Sequence, residues 1–344
     1  MRFGFYLPCY WPDTSVPAEH MYAEMLQQAI AAEEQGYCSL AIPEHHFINY
    51  LTHPSPLLSA VKVATVTQRI PIVTAVLVLP FLDMRRLAGE IAQADCLTNG
   101  RIQLGVGRGA FRYEFDRFGV PPEDSREKFD DSLALLKKLL TEEEVSWNSK
   151  YYSFPPLTIT PRPVQKPHPP IWIAALAPLA IYHSVLNGYH VMTTPLRDPL
   201  EAAKAQADAF HKGLRDAGPA ATDRELSMLR MVYVAKDDAD ARRKLEIAYA
   251  NHQRFSNVFN TPGEVYKGAI KPIDVDITVD EIAQSLIICT ADECVERLKI
   301  YEGFGIHEIN LNMGFGADHE DVMASMKRFA TKVMPHFYDK RSVA

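Results

Sequence analysis

The sequence predicts a single (β/α)8 (TIM) barrel. Short apolar runs alternate with longer helical patterns, and about eight such strand–helix pairs follow one another along the chain. The 344 residues are enough for one large barrel, and 47% hydrophobic with 23% charged residues is typical of a globular protein with a sizeable core. A doubly wound parallel sheet would produce a similar alternation, so periodicity alone leaves that alternative open.

The first half of the chain supplies four strand–helix pairs. The third strand is rich in Val, Ile and Leu on both faces, as expected of a parallel strand buried on both sides. Asn99-Gly100 is a strong helix stop, and Asp124 with Glu127 predicts a capping box at a helix start. The predicted strands are 3–7, 39–42, 70–79 and 102–106, and the predicted helices are 17–35, 56–67, 87–97 and 124–140.

A segment rich in proline and aromatic residues, at about 145–170, interrupts this alternation. Pro155-Pro156 and Pro161-Arg162-Pro163 exclude a regular helix or a central strand. An interdomain linker is one interpretation, but the aromatic content favours an ordered insertion packed against the barrel. We therefore predict one domain over residues 1–344.

The second half of the chain continues the same pattern. One stretch, at about 252–284, is predicted to be irregular, with several Gly and Pro residues, and is a candidate for a mobile lid over the barrel. The predicted strands are 171–175, 190–193, 226–234 and 308–312, and the predicted helices are 180–187, 199–217, 238–250, 291–302 and 320–334.

Composition excludes several classes of function. Lys and Arg total 36 against 43 Asp and Glu, for a net charge of −7, and no basic run is present. This argues against nucleic-acid binding, which needs clustered basic residues. The five cysteines are widely spread, as expected of free thiols in a reducing compartment. The longest apolar stretch, 70–81, is broken by prolines and too short to span a membrane. We expect a soluble cytoplasmic protein.

The active site of a parallel barrel lies at the carboxyl ends of its strands, so the residues that follow each strand are the candidates for chemistry. After the second strand come Glu44, His45, His46 and Phe47. Adjacent residues in an extended segment point in opposite directions, so one histidine at most faces a given site. We predict no metal, although a barrel metallohydrolase using His45 or His46 stays a rival. One histidine is predicted to handle protons or contact a cofactor, with a purely structural histidine as the alternative.

The fourth strand ends in a glycine-rich stretch, residues 105–109 (GVGRG). It has neither the third glycine of a dinucleotide fingerprint nor the lysine of a phosphate loop. Small residues would allow a planar ligand to approach closely, and Arg108 could bind a phosphate through its guanidinium group. An ordinary surface ion pair is the alternative for Arg108.

Several segments together resemble the flavin-dependent luciferase-like monooxygenases, which include the alkanal monooxygenase alpha chains. The most specific match is the last of the series, and the matches are dense up to about residue 195, with a thinner match near 291–304. In chain order they are 3–6 (FGFY), 44–47 (EHHF), 74–76 (TAV) leading to 79–80 (LP), 86–92 (RLAGEIA), 97–101 (LTNGR), 104–109 (LGVGRG), 114–119 (EFDRFG) and 161–170 (PRPVQKPHPP).

The resemblance implies roles for individual residues. His45 takes the position of the family's functional histidine, and Ala75-Val76 that of a non-prolyl cis peptide against the flavin ring. Glu114 aligns with an acidic residue near the entrance of the active site. The expected flavin site comprises Glu44, Ala75, Val76, Gly107, Arg108, Ala175, Leu176, Ala177 and Leu179. Candidates for the substrate wall are Tyr10, Trp11, Phe47, Phe111, Glu114 and Thr193, of which the aromatic residues could equally be core residues.

One departure from the family concerns the flavin phosphate. Where relatives commonly have Ser or Thr, residues 176–180 read LAPLA and offer no hydroxyl. Backbone N–H groups at the start of the next helix, with Arg108 opposite, could still hold a phosphate. We therefore expect weak flavin affinity, with a shifted phosphate site or another flavin as the alternative.

The resemblance also implies a reaction. Reduced FMN from a separate NAD(P)H:flavin reductase would react with O2 to form a C4a-peroxyflavin, which oxygenates an aldehyde, a ketone or a similar small molecule. An F420-dependent oxidoreductase of the same fold and a non-catalytic flavin-binding partner subunit are the alternatives. A homodimer is implied by resemblance alone. The identity of the substrate is not readable from the sequence, and light emission is not predicted.

Overall fold

A computed structural model describes residues 1–196 and 199–337, and its centre is a ring of short parallel strands. Most strands lie where the sequence predicts them, and three have the predicted bounds. In chain order the strands are β1 (Arg2–Tyr6), β2 (Leu40–Ile42), β3 (Ile72–Thr74), β4 (Leu77–Val78), β5 (Ile102–Gly107), β6 (Val145–Asn148), β7 (Ser153–Leu157), β8 (Ile171–Ala174), β9 (His190–Thr193), β10 (Leu226–Val234), β11 (Val265–Tyr266), β12 (Ala269–Ile270), β13 (Ile287–Cys289) and β14 (Glu308–Asn312).

The ring is closed. From β1 the order is β2, β3, β5, β8, β9, β10 and β14, and β14 pairs with β1 again, Phe5 lying opposite both Leu40 and Leu311. β3 and β4 pair with the same strand, β5, and act as one strand position that is broken between Thr74 and Leu77. Since every barrel strand has a neighbour on both sides, the barrel is confirmed and an open doubly wound sheet is excluded.

Helices surround the barrel and cover its apolar outer face. Side chains such as Phe3, Ile72 and Met228 are fully buried between the strands and this helical layer. The helices are α1 (Ala18–Glu34), α2 (Pro56–Ala64), α3 (Met84–Leu97), α4 (Arg112–Phe118), α5 (Ser125–Thr141), α6 (Pro178–Leu186), α7 (Pro199–Ala217), α8 (Asp238–Asn260), α9 (Val279–Ser285), α10 (Ala291–Gly303) and α11 (His319–Lys332). Among the described helices, none combines the length and the apolar character needed to cross a bilayer.

The inside of the barrel is polar near the amino ends of the strands. The buried Glu308 carboxylate accepts hydrogen bonds from Ser39 Oγ at 3.1 Å and Ser227 Oγ at 3.0 Å. Gly4 lies beside this group, and a Cβ atom there would stand 2.3 Å from Ser39 Oγ. These contacts fill the barrel interior at the amino ends of the strands.

The proline-rich segment is an antiparallel hairpin of β6 and β7 followed by an extended stretch. The Arg162 guanidinium donates to the carbonyl oxygens of Leu139 and Leu140 at 2.8 and 2.9 Å, at the end of α5. Gln165 binds the buried Asp95 carboxylate of α3 through its backbone N–H and its side-chain amide. Hydrogen bonds therefore hold this segment against the helical layer.

Two local predictions are wrong. The segment 252–284 is not irregular throughout: α8 continues to Asn260, because nothing in 251–260 breaks a helix, and α9 is also helical. The capping box lies at Thr278 and Glu281. It does not lie at Asp124, whose carboxylate instead binds Lys150 Nζ at 3.1 Å. The lid and the single domain over 1–344 stay predictions, and residues 197–198 and 338–344 lie outside the described residues.

Candidate active site

A cavity of about 1340 Å³ opens at the carboxyl ends of the barrel strands. Strands from around the ring contribute to its wall, among them β1 through Tyr6, β5 through Gly107 and β14 through Asn310 and Asn312. Burial raises the pKa of the Tyr6 hydroxyl and that of the neighbouring Tyr50, so both phenols stay neutral hydrogen-bonding groups.

His45 meets a buried carboxylate at the edge of this cavity. Its Nδ1 lies 3.1 Å from Glu114 Oε1, and the same oxygen accepts the backbone N–H of His46 at 2.7 Å. The His45 ring also stacks on Phe111, with 4.4 Å between ring centroids. Because a carboxylate can only accept, Nδ1 carries the hydrogen, and Nε2 is the ring nitrogen that Glu114 does not bind. Glu114 and Phe111 together fix the position of the ring.

His46 belongs to a different pair. Its Nε2 lies 2.9 Å from Glu44 Oε1, and Glu44 Oε2 accepts the backbone N–H of Val78 at 3.1 Å. The His46 ring packs edge-on against Phe118. His45 and Glu44 line the cavity, whereas His46 does not. His46 instead binds the carboxylate of Glu44. Among residues 1–196 and 199–337, no three His, Cys, Asp or Glu side chains gather as a metal site.

A break in the third strand position forms the floor beside His45. The peptide between Ala75 and Val76 is cis, as the resemblance implies, and both residues line the cavity. Two glycines of β5 allow this backbone to lie so close: a Cβ atom on Gly105 would stand 1.8 Å from the carbonyl oxygen of Thr74, and one on Gly107 would stand 2.6 Å from Val76 Cγ2. Gly107 therefore makes room for Val76, and the floor is built of small apolar groups.

Some polar atoms around the cavity have no hydrogen-bond partner among the described residues. Asn310 Oδ1, Asn251 Nδ2 and Thr193 Oγ1 are buried and unpartnered, and all three residues line the cavity. A buried polar group without a partner costs about 1–3 kcal/mol. The cavity therefore suits a ligand that carries both hydrogen-bond donors and acceptors.

Comparison with known proteins agrees with this geometry. The sequence pattern of the luciferase-like monooxygenase family matches residues 1–308. The chain belongs to this family. It is therefore an oxidoreductase, and its (β/α)8 barrel is the fold of a luciferase-like monooxygenase.

Two relatives resemble this luciferase-like monooxygenase over nearly its whole length. The oxygenase component of a flavin-dependent trigonelline monooxygenase from Acinetobacter baylyi is 28% identical over 350 residues, which cover 99% of this chain and 97% of the relative. The crystal structure of monooxygenase RslO1 from Streptomyces bottropensis is 25% identical with a TM-score of 0.86, covering 98% of this chain and 100% of that one.

The fold is also shared with enzymes that use another cofactor. An F420-dependent secondary alcohol dehydrogenase, in complex with an F420-acetone adduct, is 19% identical with a TM-score of 0.77, covering 98% of this chain and 99% of that one. At this identity the likeness shows the fold alone.

Most of the residues expected at the flavin site line the cavity of this luciferase-like monooxygenase. Arg108 is exposed there and has no ion pair with any described residue. α6 begins at Pro178 after Ala177, and no side chain caps it. The expected residues that do line the cavity are Glu44, Ala75, Val76, Gly107, Arg108, Ala175, Leu176 and Ala177. Leu179 does not; its side chain is exposed on α6.

The substrate-wall candidates divide into two groups. Phe111, Glu114 and Thr193 line the cavity. Tyr10 and Trp11 line a separate cavity of about 270 Å³, and the Tyr10 ring packs edge-on against Tyr50 from outside. Phe47 has a φ of +63° and half of its side chain is exposed, next to Phe118. The positive φ turns the chain, so Phe47 does not line the cavity although it lies only two positions after His45.

Sequence reasoning missed several residues of the site. Asn310 lies in a row with Glu308 and Asn312 at every second position of β14, a period-two polar pattern that indicates a polar barrel interior. Other missed residues are Tyr50, after the histidine pair, and Phe255 and Phe259, in a segment interpreted as irregular. His183 and Ser184, in the second turn of α6, also line the cavity.

Proposed function

We propose that the chain is the oxygenase component of a two-component monooxygenase, which uses reduced FMN and O2 to oxygenate a small organic substrate such as an aldehyde or a ketone. A separate NAD(P)H:flavin reductase would supply the reduced flavin. The observation that carries the proposal is the pairing of His45 with Glu114 beside a floor of small residues, in a cavity that holds unpartnered polar atoms.

The residues present fit a flavin. The small groups at Ala75, Val76 and Gly107 would accept the flat face of the ring. The unpartnered Asn310 Oδ1 could accept a hydrogen bond from a polar ring edge. Arg108, without an acidic partner in the described chain, would face the phosphate together with backbone N–H groups near Ala177. When bound, reduced flavin supplies two electrons to O2, so that one oxygen atom enters the substrate and the other leaves as water.

The protein contributes positioning, proton handling and exclusion of water. His45 would give or take a proton through Nε2, since Glu114 occupies Nδ1. Glu44, held by His46 and Val78, would contact the cofactor from the same loop. The segment 252–284 would close over the mouth of the cavity and keep water away during the reaction.

Single-turnover oxidation tests the proposal. The protein is mixed anaerobically with photoreduced FMN, oxygen is added in a stopped-flow instrument, and flavin reoxidation is followed by absorbance. We expect reoxidation to be slower than for free flavin and to return to the free-flavin rate in His45→Ala. His20→Ala, on the exposed face of α1, is the matched control.

Isotope labelling completes the test. With ¹⁸O2 and a turned-over substrate, one labelled oxygen atom should appear in the product. Reoxidation at the rate of free flavin would overturn the proposal. Hydride transfer to or from F420 without oxygen uptake would then favour the deazaflavin alternative, and a stable complex with a second, active subunit would favour a non-catalytic role.

We further propose a homodimer. Leu58 on α2 and Leu97 on α3 are more than half exposed, and the two helices pack side by side. An exposed apolar face is a candidate for contact with another subunit. Light scattering with Leu58→Glu tests this: a dimer in the parent that becomes a monomer in the variant supports the interface, and a monomeric parent contradicts it.

A further inference from the structure

Five aromatic rings form one connected surface of the cavity, here termed the aromatic wall: His45, Tyr50, Phe111, Phe255 and Phe259. His45 stacks on Phe111 at 4.4 Å, and Phe255 stacks on Phe259 at 5.0 Å. Phe111 joins the two pairs, edge-on to Phe255 at 6.1 Å and to Phe259 at 6.3 Å. The wall therefore begins at the proposed proton-handling residue and continues through Phe111 to Phe255 and Phe259 of α8.

Helix α8 supplies the far half of the aromatic wall. Its cavity-lining residues, spaced by three or four positions, form one stripe: Ala248, Asn251, His252, Phe255, Ser256 and Phe259. Phe255 and Phe259 are only partly buried, so their rings present surface to the cavity. Asn251 precedes Phe255 by one helical turn, and only 3% of its surface is exposed.

Asn251 Nδ2 has no hydrogen-bond acceptor among the described residues. A buried amide donor next to an apolar surface destabilises the protein unless a ligand supplies the acceptor. The α8 part of the aromatic wall, Phe255 and Phe259, and the unpartnered donor of Asn251 lie on successive turns of that helix. A ligand that satisfies both carries a flat ring with an acceptor group attached to it.

Aromatic surfaces discriminate between ligands of equal size. Ring pairs in edge-to-face or offset-stacked geometry gain interaction beyond the area they bury, because the electron-rich face of one ring attracts the electron-poor edge of the other. A saturated ring or an alkyl chain gains only the area term. The stacked pairs of the wall offer both faces and edges to such a ligand.

We propose that the substrate is a planar aromatic or heteroaromatic molecule with a carboxylate or carbonyl substituent, bound against the aromatic wall with that substituent on Asn251 Nδ2. The proposal rests on the proposed monooxygenase function and names the substrate class of the same site. The reaction balances as one oxygen atom from O2 added to the substrate and one released as water, with two electrons from reduced FMN.

Binding without turnover tests the substrate class separately from the chemistry. Calorimetric titrations of the protein, with and without oxidised FMN, compare naphthoate with decahydronaphthoate, which has the same carboxylate on a saturated skeleton, and with decanoate. We expect naphthoate to bind roughly tenfold more tightly than either. Equal or tighter binding of a saturated probe would overturn the proposal.

Variants of α8 assign the effect to the proposed contacts. Phe255→Leu should weaken naphthoate roughly threefold to tenfold and leave decahydronaphthoate unchanged, while Phe255→Tyr retains the preference. Asn251→Leu should weaken both carboxylates alike. Phe47→Leu, at an exposed ring outside the cavity, is the matched control. Equal loss of both probes in Phe255→Leu would contradict the aromatic contact.

The two proposals can fail independently. An aromatic preference without slowed flavin reoxidation would leave the substrate class intact and remove the monooxygenase chemistry. Slowed reoxidation with no aromatic preference would do the reverse.

Discussion

Glu114 and His45 are 69 positions apart in the sequence, yet Glu114 Oε1 lies 3.1 Å from His45 Nδ1. The same carboxylate oxygen accepts the backbone N–H of His46, so one nearly inaccessible group fixes both the ring and the loop that carries it. This relationship makes Glu114 a positioning residue for the proposed proton transfer, and it leads to the first prediction.

Glu114→Gln should lower the rate of substrate oxygenation roughly tenfold. This loss is smaller than the loss of about 10²- to 10⁴-fold expected when His45 itself is removed. The amide can still accept from the His46 N–H, so the fold should be retained, but the negative charge beside the imidazole is lost. Product and hydrogen peroxide are measured together with the Kd for FMN. More peroxide per flavin at an unchanged Kd supports positioning, whereas weaker FMN binding with unchanged product yield contradicts it.

Gly107→Ala should weaken FMN binding and slow oxygenation, because the new Cβ atom would stand 2.6 Å from Val76 Cγ2 and displace the floor of the cavity. Gly89→Ala is the control. It lies within α3 with no atom within 4 Å of its Cβ position, and should stabilise the protein by about 0.5–1 kcal/mol. FMN titration and thermal unfolding of both variants provide the measurement. An unaffected FMN Kd in Gly107→Ala would show that this floor does not bind the flavin.

The phosphate end of the site can be examined by comparing FMN with riboflavin. Arg108→Ala should weaken FMN roughly tenfold and leave riboflavin unchanged, because only FMN carries a phosphate for the guanidinium. Arg86→Ala, which removes an exposed arginine paired with Glu90, controls for the change in net charge. Equal affinity of the parent protein for both flavins would mean that the phosphate site is not used.

His53 should make the protein less stable in mild acid. Burial lowers its pKa from 6.5 to about 4, and Nε2 donates to the Leu7 carbonyl while Nδ1 accepts from Ser59 Oγ. Between these two pH values the unfolded chain binds more protons than the folded one, so stability falls as the pH falls, by about 3 kcal/mol at pH 4.

Urea unfolding of His53→Gln and the parent at pH 7 and pH 5 measures this effect. The loss of unfolding free energy between the two pH values should be smaller in His53→Gln. The surface substitution His20→Gln should behave like the parent. An identical pH dependence in all three proteins would show that His53 does not resist protonation in the fold.

Local patterns in the sequence were sufficient to predict most of the barrel strands and several residues of the candidate active site. Alternating apolar runs predicted the barrel strands, because a buried parallel strand must be apolar and bounded by turn residues. Placement of active-site residues at the carboxyl ends of strands then identified His45 and Arg108 as candidates, and the structure brings both to one cavity. The polar row of β14 was equally readable and was overlooked.

Other features depended on contacts that no local pattern encodes. Tyr10, Trp11 and Phe47 are as close in sequence to strand ends as Phe111 is, but a positive φ at Phe47 and the packing of Tyr10 behind Tyr50 remove them from the cavity. Likewise, Asp124 follows a capping pattern, yet Lys150 from the hairpin binds it more directly than its own helix does.

The sequence by itself determined the order of the barrel strands and most of their helices, and its resemblance to the family singled out His45 as the histidine that faces the cavity. Only the tertiary structure decided that Glu114 orients that histidine, that Gly107 leaves room for Val76, and that α8 brings Phe255 and Asn251 to the cavity. The reason is physical: periodicity reflects which side of an element is buried, whereas the partner of a side chain depends on how distant elements pack once the barrel has closed.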